Sequence, residues 1–212
     1  LSHLTHNPLT TYSFGVSIMT WTIDRIRRAA TTIDQLNRII CDMQDITYNA
    51  TATAPDTWPA LQASAKWGNQ GSAFGYNWHA LRHREVWNGG SEHTIFAGPG
   101  IAAPTARDRN FRARAVHDFI HLVTNNDFTP KGERATCEHQ VRWMESAWAA
   151  RVNVSRKLFD RTIHDLSDAI ALVRAEVAGQ VEYNETHDGA FPVDQLQFAL
   201  DYLNGTAPAD MA

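Results

Sequence analysis

His117-Asp118-Phe119-Ile120-His121 places two imidazoles four residues apart, which on a helix stacks one above the other, with a carboxylate beside the first. Two neutral imidazoles and a carboxylate suit a divalent ion such as Mn, Zn, Co, Fe or Ni. On a helical wheel both histidines fall beyond the edge of the apolar face, alongside Asn110 and Thr124, so the plainer expectation is two solvent-facing side chains. The following segment favours a site. Glu133, Cys137 and Gln140 share a stripe with Val141, Met144 and Trp148 and are expected to point inward, where a carboxylate needs a partner. Only Asn125 to Phe128 separates the two segments, which brings Glu133 near His121. The competing expectation is that Glu133 simply uses its helix N-terminus, worth ~0.3 to 1 kcal/mol. Asp168 heads a face continued by Ala171, Leu172, Ala175 and Gly179, small residues that admit another helix. It is either capped by Ser167 and its neighbours or reaches a cation.

The elements that carry these residues read as helices. Ile23, Ile26, Ala30, Ile33, Leu36, Ile40 and Met43 recur at spacings of three and four, the stripe of one helix or of two end to end, with Thr32 and Gln35 as a possible second capping box. A helix is expected from about Thr105 to Asn125-Asn126. Another should open at Thr129-Pro130, a cap followed by proline at the first helical position. A long helix follows from about Ser155 to Tyr183, and a last one from Pro192 to Leu203 with Asn204-Gly205 as its stop. Strand-like alternation is scarce. The reading is an all-α, bundle-like single domain over residues 19–205, preceded by an arm (1–18) and followed by a short tail (206–212). Met19-Thr20-Trp21 would make a natural start. Residues 51–104 form a long irregular insertion rich in Gly and Trp, with a short helix expected around Asn77 to Val86. Trp58, Trp67, Trp78 and Trp87 recur through it, and Trp is more often core or interface than a stacking platform.

A chain of 212 residues can bury a full core, and a formal charge of -4 argues against general binding to nucleic acid or an anionic membrane. Arg25, Arg27 and Arg28, and likewise Arg107, Arg109, Arg112 and Arg114, read as solvated helix faces. The second run is also a candidate phosphate receiver, with Arg107, Arg112 and Arg114 as substrate-binding residues. Two cysteines cannot build a disulfide framework, which points to a reducing, cytoplasmic setting of a cell or host, with association with a virion as the alternative. No apolar run approaches the ~20 residues of a membrane span.

The segment Ala115-Val116-His117-Asp118-Phe119-Ile120-His121 resembles the His-Asp helix of HD-domain phosphohydrolases. The likeness extends through Leu122 to Pro130, similar to the following loop in the nucleotidase branch, and to Asp168-Ala169-Ile170-Ala171 and Glu176 to Gln180. The resemblance implies an all-α fold, a divalent metal and a nucleotide or related phosphate ester as substrate. It implies metal ligands His117, Asp118, Asp168 and an upstream histidine, either His93 in Glu92-His93-Thr94 or His83. His121 takes a position often held by Glu, Asp127 lies near a family acid and is a further catalytic candidate, and Glu133 or His121 would accept the proton of the metal-bound water. A second reading takes H-D-x-x-H as a relative of the H-E-x-x-H zinc protease motif, with Glu133 as third ligand and Asp118 as base. A third is a non-enzymatic helical interaction protein, since His-Asp followed by Phe-x-x-x-Gly-Glu, here Phe128 to Glu133, resembles phage-encoded sequences. In that reading the helices and the Trp-rich insertion meet a partner or a second copy. The three differ in what must converge: His117, Asp118 and Asp168 in the first, His117, His121 and Glu133 in the second, neither set in the third.

Overall fold

The computed structural model describes residues 20–50, 57–64, 74–78, 95–96, 103–152, 159–192 and 194–206, and of residues 47–50, 64, 74–78, 103–107, 152 and 159–164 the backbone alone. The first helix, α1 (Ile23–Gln44), opens where the Thr22 side chain accepts a hydrogen bond from the Arg25 amide and closes where Asp45 turns left-handed at φ 52°. It is one uninterrupted helix. Thr32, the possible second start, lies in its interior with its hydroxyl donating back to the Arg28 carbonyl at 3.3 Å. The stripe of Ile26, Ala29, Ala30, Ile33, Leu36 and Ile40 is buried, and α1 runs through the centre of the core.

Two helices form an antiparallel hairpin: α3 (Ala103–Thr124) and α4 (Pro130–Val152). Its bend depends on Asn125, whose φ of 55° lies in the left-handed region that asparagine tolerates better than most residues. Asp127 then accepts from the amide of Thr129 at 3.2 Å and from its hydroxyl at 2.5 Å, while the Thr129 oxygen receives the Gly132 amide at 3.2 Å. That arrangement caps α4, with Pro130 at its first position as expected. Val116 and Ile120 of α3 and Cys137, Met144 and Ala147 of α4 close over α1. Together they form one core with Ala169, Leu172 and Val173 of α5 (Phe159–Arg174) and Leu196 and Ala199 of α7 (Gln195–Leu203).

Between α5 and the short α6 (Gln180–Thr186) the chain widens into a π-turn, Ala175–Gly179. The small face led by Asp168 does admit another helix there: a Cβ on Gly179 would lie 3.0 Å from the Tyr202 ring of α7. The π-turn also holds Glu176 with one carboxylate oxygen sealed from water and unpartnered. Burial raises its pKa from 4.5 to about 7, against the opposing Arg114 charge and a hydrogen bond from Gln180. A raised folded pKa means that this group stabilises the fold fully below the unfolded carboxylate pKa, and that the contribution is lost as pH rises through about 7. The loss amounts to roughly 3 kcal/mol. Glu176→Gln is therefore expected to flatten the fall in stability between pH 5 and 8, as read by urea denaturation at each pH against the wild type.

The fold is an all-α single domain, with one small departure. Strands β1 (Ile46–Ala50) and β2 (Phe74–Trp78) pair in parallel, Ile46 opposite Phe74 and Ala50 opposite Trp78. The helix expected from Asn77 therefore fails at its start, because Asn77 and Trp78 belong to β2. A pairing between segments 28 residues apart in register (74 minus 46) overrides local pattern and leaves no periodic trace in either segment. The short α2 (Trp58–Ser64) also lies in the insertion. The arm, the tail after 206 and most of the insertion, including Trp67 and Trp87, lie outside the described residues. No helix among the described residues is long and apolar enough to cross a membrane.

Candidate metal centre

The hairpin turns three side chains towards one point. His117 and His121 are 8% and 0% exposed, so the solvent-facing expectation fails. The wheel placed them outside the stripe that meets α1, but a second partner, α4, covers that side of α3. His117 Nε2 lies 3.0 Å from His121 Nε2 and 3.0 Å from Glu133 Oε2, and His121 Nε2 lies 3.3 Å from the same oxygen.

The outer ring nitrogens explain why this is a donor set. His117 Nδ1 is 3.1 Å from Gln140 Oε1, and His121 Nδ1 is 3.0 Å from the Asn126 backbone carbonyl. A carbonyl oxygen only accepts, so each Nδ1 carries the proton and each Nε2 presents a lone pair inward. Thr136 adds to the Asn126 side: its hydroxyl lies 3.2 Å from His121 Nδ1 and receives the Asn126 amide at 3.1 Å. Such outer partners orient histidine ligands in metal sites. Three lone pairs at these separations repel one another unless a cation sits among them. For metal bonds of ~2.0 to 2.1 Å, the edge of a tetrahedron is about 3.3 Å, close to the observed triangle. His117, His121 and Glu133 thus lie close enough to hold a metal ion.

The electrostatics point the same way. Burial pushes the His117 imidazole down, but the Glu133 hydrogen bond and charge, with Asp118 and Gln140, more than reverse this and raise it overall. Burial pushes Glu133 up, yet His117 and His121, when they carry a proton on Nε2, hold it well below the usual carboxylate range by hydrogen bonding and charge. The cluster therefore favours one positive charge among its three groups, a proton or a metal ion.

Aromatic walls close one side. The Phe128 ring meets His121 edge-on at 5.0 Å between centroids, and Trp58 lies 6.2 Å from it. Trp58 arrives on α2, which is seated by Leu61 against Ala115 and Leu122 and by a hydrogen bond from Gln62 to Asn125 at 3.1 Å. Asp118, next in sequence to His117, is buried with Oδ2 unpartnered.

Of the residues singled out in the sequence, His117, His121 and Glu133 come together. The ligand role expected for Asp168 is corrected: Arg25 holds both its oxygens, Nη2 to Oδ1 at 2.6 Å and Nε to Oδ2 at 2.9 Å. It did reach a cation, but a guanidinium that also stacks 4.2 Å over Trp21. Arg25 is correspondingly not a solvated residue. Asp118 stands beside the triad and not within it. Asp127 is exposed and spends its carboxylate on the α4 cap, so its catalytic role is not supported by its position. Arg112 is turned to Asp34 of α1, and Arg114 is half-buried with its charge felt at Glu176. The Arg107 side chain, His83 and His93 lie outside what is described. Gln140, Asn126, Thr136, Phe128 and Trp58 had not been assigned to the site. Gln140 was legible, seven residues beyond Glu133 on one stripe, whereas the Asn126 carbonyl and Trp58 have no local signature.

Gly132 fixes the entry of Glu133. A Cβ there would overlap the Asp127 backbone carbonyl, with the Asp127 side chain close behind. Backbone has to move to accommodate it, at a cost of about 1 to 3 kcal/mol. Gly132→Ala is expected to lower the melting temperature and weaken metal affinity at least about tenfold, a change worth ~1.4 kcal/mol. Unchanged affinity by calorimetric titration with Zn would contradict this.

The chain matches no family model, no curated protein and no solved structure. What fold and site define is a class: an all-α protein carrying two buried imidazole nitrogens and one partly exposed carboxylate oxygen close together on a helical hairpin. Both cysteines are free thiols outside the triad.

Proposed function

We propose that this chain is a metal-dependent hydrolase that holds a divalent ion, zinc in the first instance, through His117, His121 and Glu133. The observation that carries the reading is the convergence of two histidine lone pairs and a carboxylate, with both outer ring nitrogens tied to acceptors. Three protein ligands are the pattern of a catalytic zinc site, which keeps its fourth position open, whereas structural sites are closed by four. When bound, the ion supplies a water acidified towards pKa ~7 and a centre that neutralises developing negative charge. Asp118, next in sequence to a ligand and with a buried oxygen lacking any partner, is the base that takes the proton. Phe128 and Trp58 exclude solvent from the His121 side.

This ligand set follows the H-D-x-x-H reading of the sequence. A phosphate ester remains the second reading for the substrate, favoured by the half-buried Arg114, which lies one helical turn before Asp118 on the same face of α3. The test is hydrolysis by zinc- or manganese-loaded protein of p-nitrophenyl acetate and p-nitrophenyl phosphate. Turnover of the acetate alone supports a carbonyl hydrolase, and turnover of the phosphate supports a phosphohydrolase. If neither is cleaved and no ion binds, the hydrolase reading fails and the cluster is a proton-linked structural core.

A further inference from the structure

A second polar cluster lies on the opposite flank of α3, between it and α1. Asp34 is 4% exposed, yet three arginines share its carboxylate. Arg112 Nη1 bonds Oδ1, Arg38 Nε bonds Oδ2 at 3.1 Å, and Arg109 Nε approaches Oδ2 at 3.7 Å. Arg109 and Arg112 are only 18% and 14% exposed, while Arg38, at 57%, closes the cluster at its solvent edge. Three guanidiniums against one carboxylate leave two positive charges over. They also leave most of their donors over, since roughly fifteen N–H groups face about four lone pairs.

Two further groups lack partners here. Arg109 Nε is buried without a hydrogen bond. Asn37, one turn beyond Asp34 on the same face of α1, is 0% exposed with both its amide oxygen and its amide nitrogen unpartnered. The Arg112 charge is felt, with those of Asp42 and Asp34, at the Cys41 thiol one turn beyond Asn37. A buried amide without partners destabilises a protein, and an uncompensated pair of charges does so too. Both are relieved by one ligand that carries two negative charges and hydrogen-bonds as both acceptor and donor.

We propose that Arg38, Arg109, Arg112 and Asn37 form a binding site for a phosphate monoester dianion, separate from the metal centre. Its two charges match the excess, its oxygens accept from the guanidiniums and from the Asn37 amide nitrogen, and a hydroxyl on the esterified alcohol donates to the Asn37 oxygen. Arginine is the side chain best shaped for this task. The site does not depend on the hydrolase reading, because none of its residues belongs to the triad.

The test is a titration with inorganic phosphate and with glycerol phosphate, followed by melting temperature and by phosphorus NMR, against chloride at equal ionic strength. It is run on the wild type, on His117→Ala, on Arg38→Gln and on Asn37→Leu. The expected result is a saturable stabilisation in the wild type that persists in His117→Ala and weakens at least about tenfold in Arg38→Gln, where a charge-assisted bond is lost. Asn37→Leu should melt higher than the wild type without phosphate, having lost an unpartnered amide, and respond less to it. The proposal is overturned by a response equal to that of chloride. It is equally overturned by one that vanishes in His117→Ala while surviving in Arg38→Gln, which would place the anion at the metal centre.

Discussion

The wild-type protein is expected to take up one zinc or cobalt ion per chain, and His121→Ala is expected to abolish that binding. Changes to the outer partners of a metal ligand commonly cost 10- to 100-fold in affinity, and removing one of three direct ligands should exceed about 100-fold. Stability supplies a second readout. An ion present at 100 times its Kd stabilises the folded state by ~2.7 kcal/mol, which in a domain of this size is about 5 to 11 °C in melting temperature. His121→Ala should lose that shift, and it should also lose any quenching of Trp58 by bound cobalt, since the indole lies 6.2 Å from the His121 ring. Asp168→Ala is the informative control. It removes the carboxylate that Arg25 holds and should lower the melting temperature, but metal stoichiometry should stay at one. If Asp168→Ala loses the ion and His121→Ala keeps it, the ligand set proposed here is wrong and the His-Asp set implied by the family resemblance is restored.

Asp118→Asn should separate binding from chemistry. The carboxylate is not one of the three converging groups, so metal content is expected to be unchanged. The amide is close to isosteric and replaces an oxygen that has no partner, so stability should move little. Turnover should nevertheless fall by about 10² to 10⁴, the range over which a positioned general base contributes. The decisive measurement is the pH profile of kcat/KM for the zinc-loaded protein. The acidic limb belonging to the base should disappear in Asp118→Asn, which a merely structural role for Asp118 would not produce. A parallel loss of metal and activity would instead make Asp118 a ligand.

The hairpin illustrates how far local reasoning reaches. Pro130 at the start of α4, the stripe of Glu133, Cys137 and Gln140, and the short connection between the helices were all legible in the sequence. So was the meeting of Glu133 with His121. All of these depend on helical periodicity and on one tight loop, quantities that neighbouring residues determine. The four-residue spacing of the histidines similarly ensured that their rings would lie on one face wherever that face was turned.

Which face it turned to was not a local matter. The same wheel that pairs His117 with His121 put them at the edge of the apolar stripe. Only the docking of α4 on one flank of α3 and of α1 on the other made the first flank a converging His117, His121 and Glu133 cluster and the second an arginine cluster. The fate of Asp168 was likewise decided at a distance: Arg25, 143 positions away, holds the carboxylate that the family resemblance assigned to an ion. Trp58 reaches His121 from inside a segment without periodic signal, and β1 meets β2 across that same segment. By itself the sequence determined the helices, their caps and the donor groups on each face, because these follow from interactions within a few residues. Tertiary structure alone decided which donors share a cavity and which acids meet arginine, because burial and long-range pairing depend on how whole helices pack.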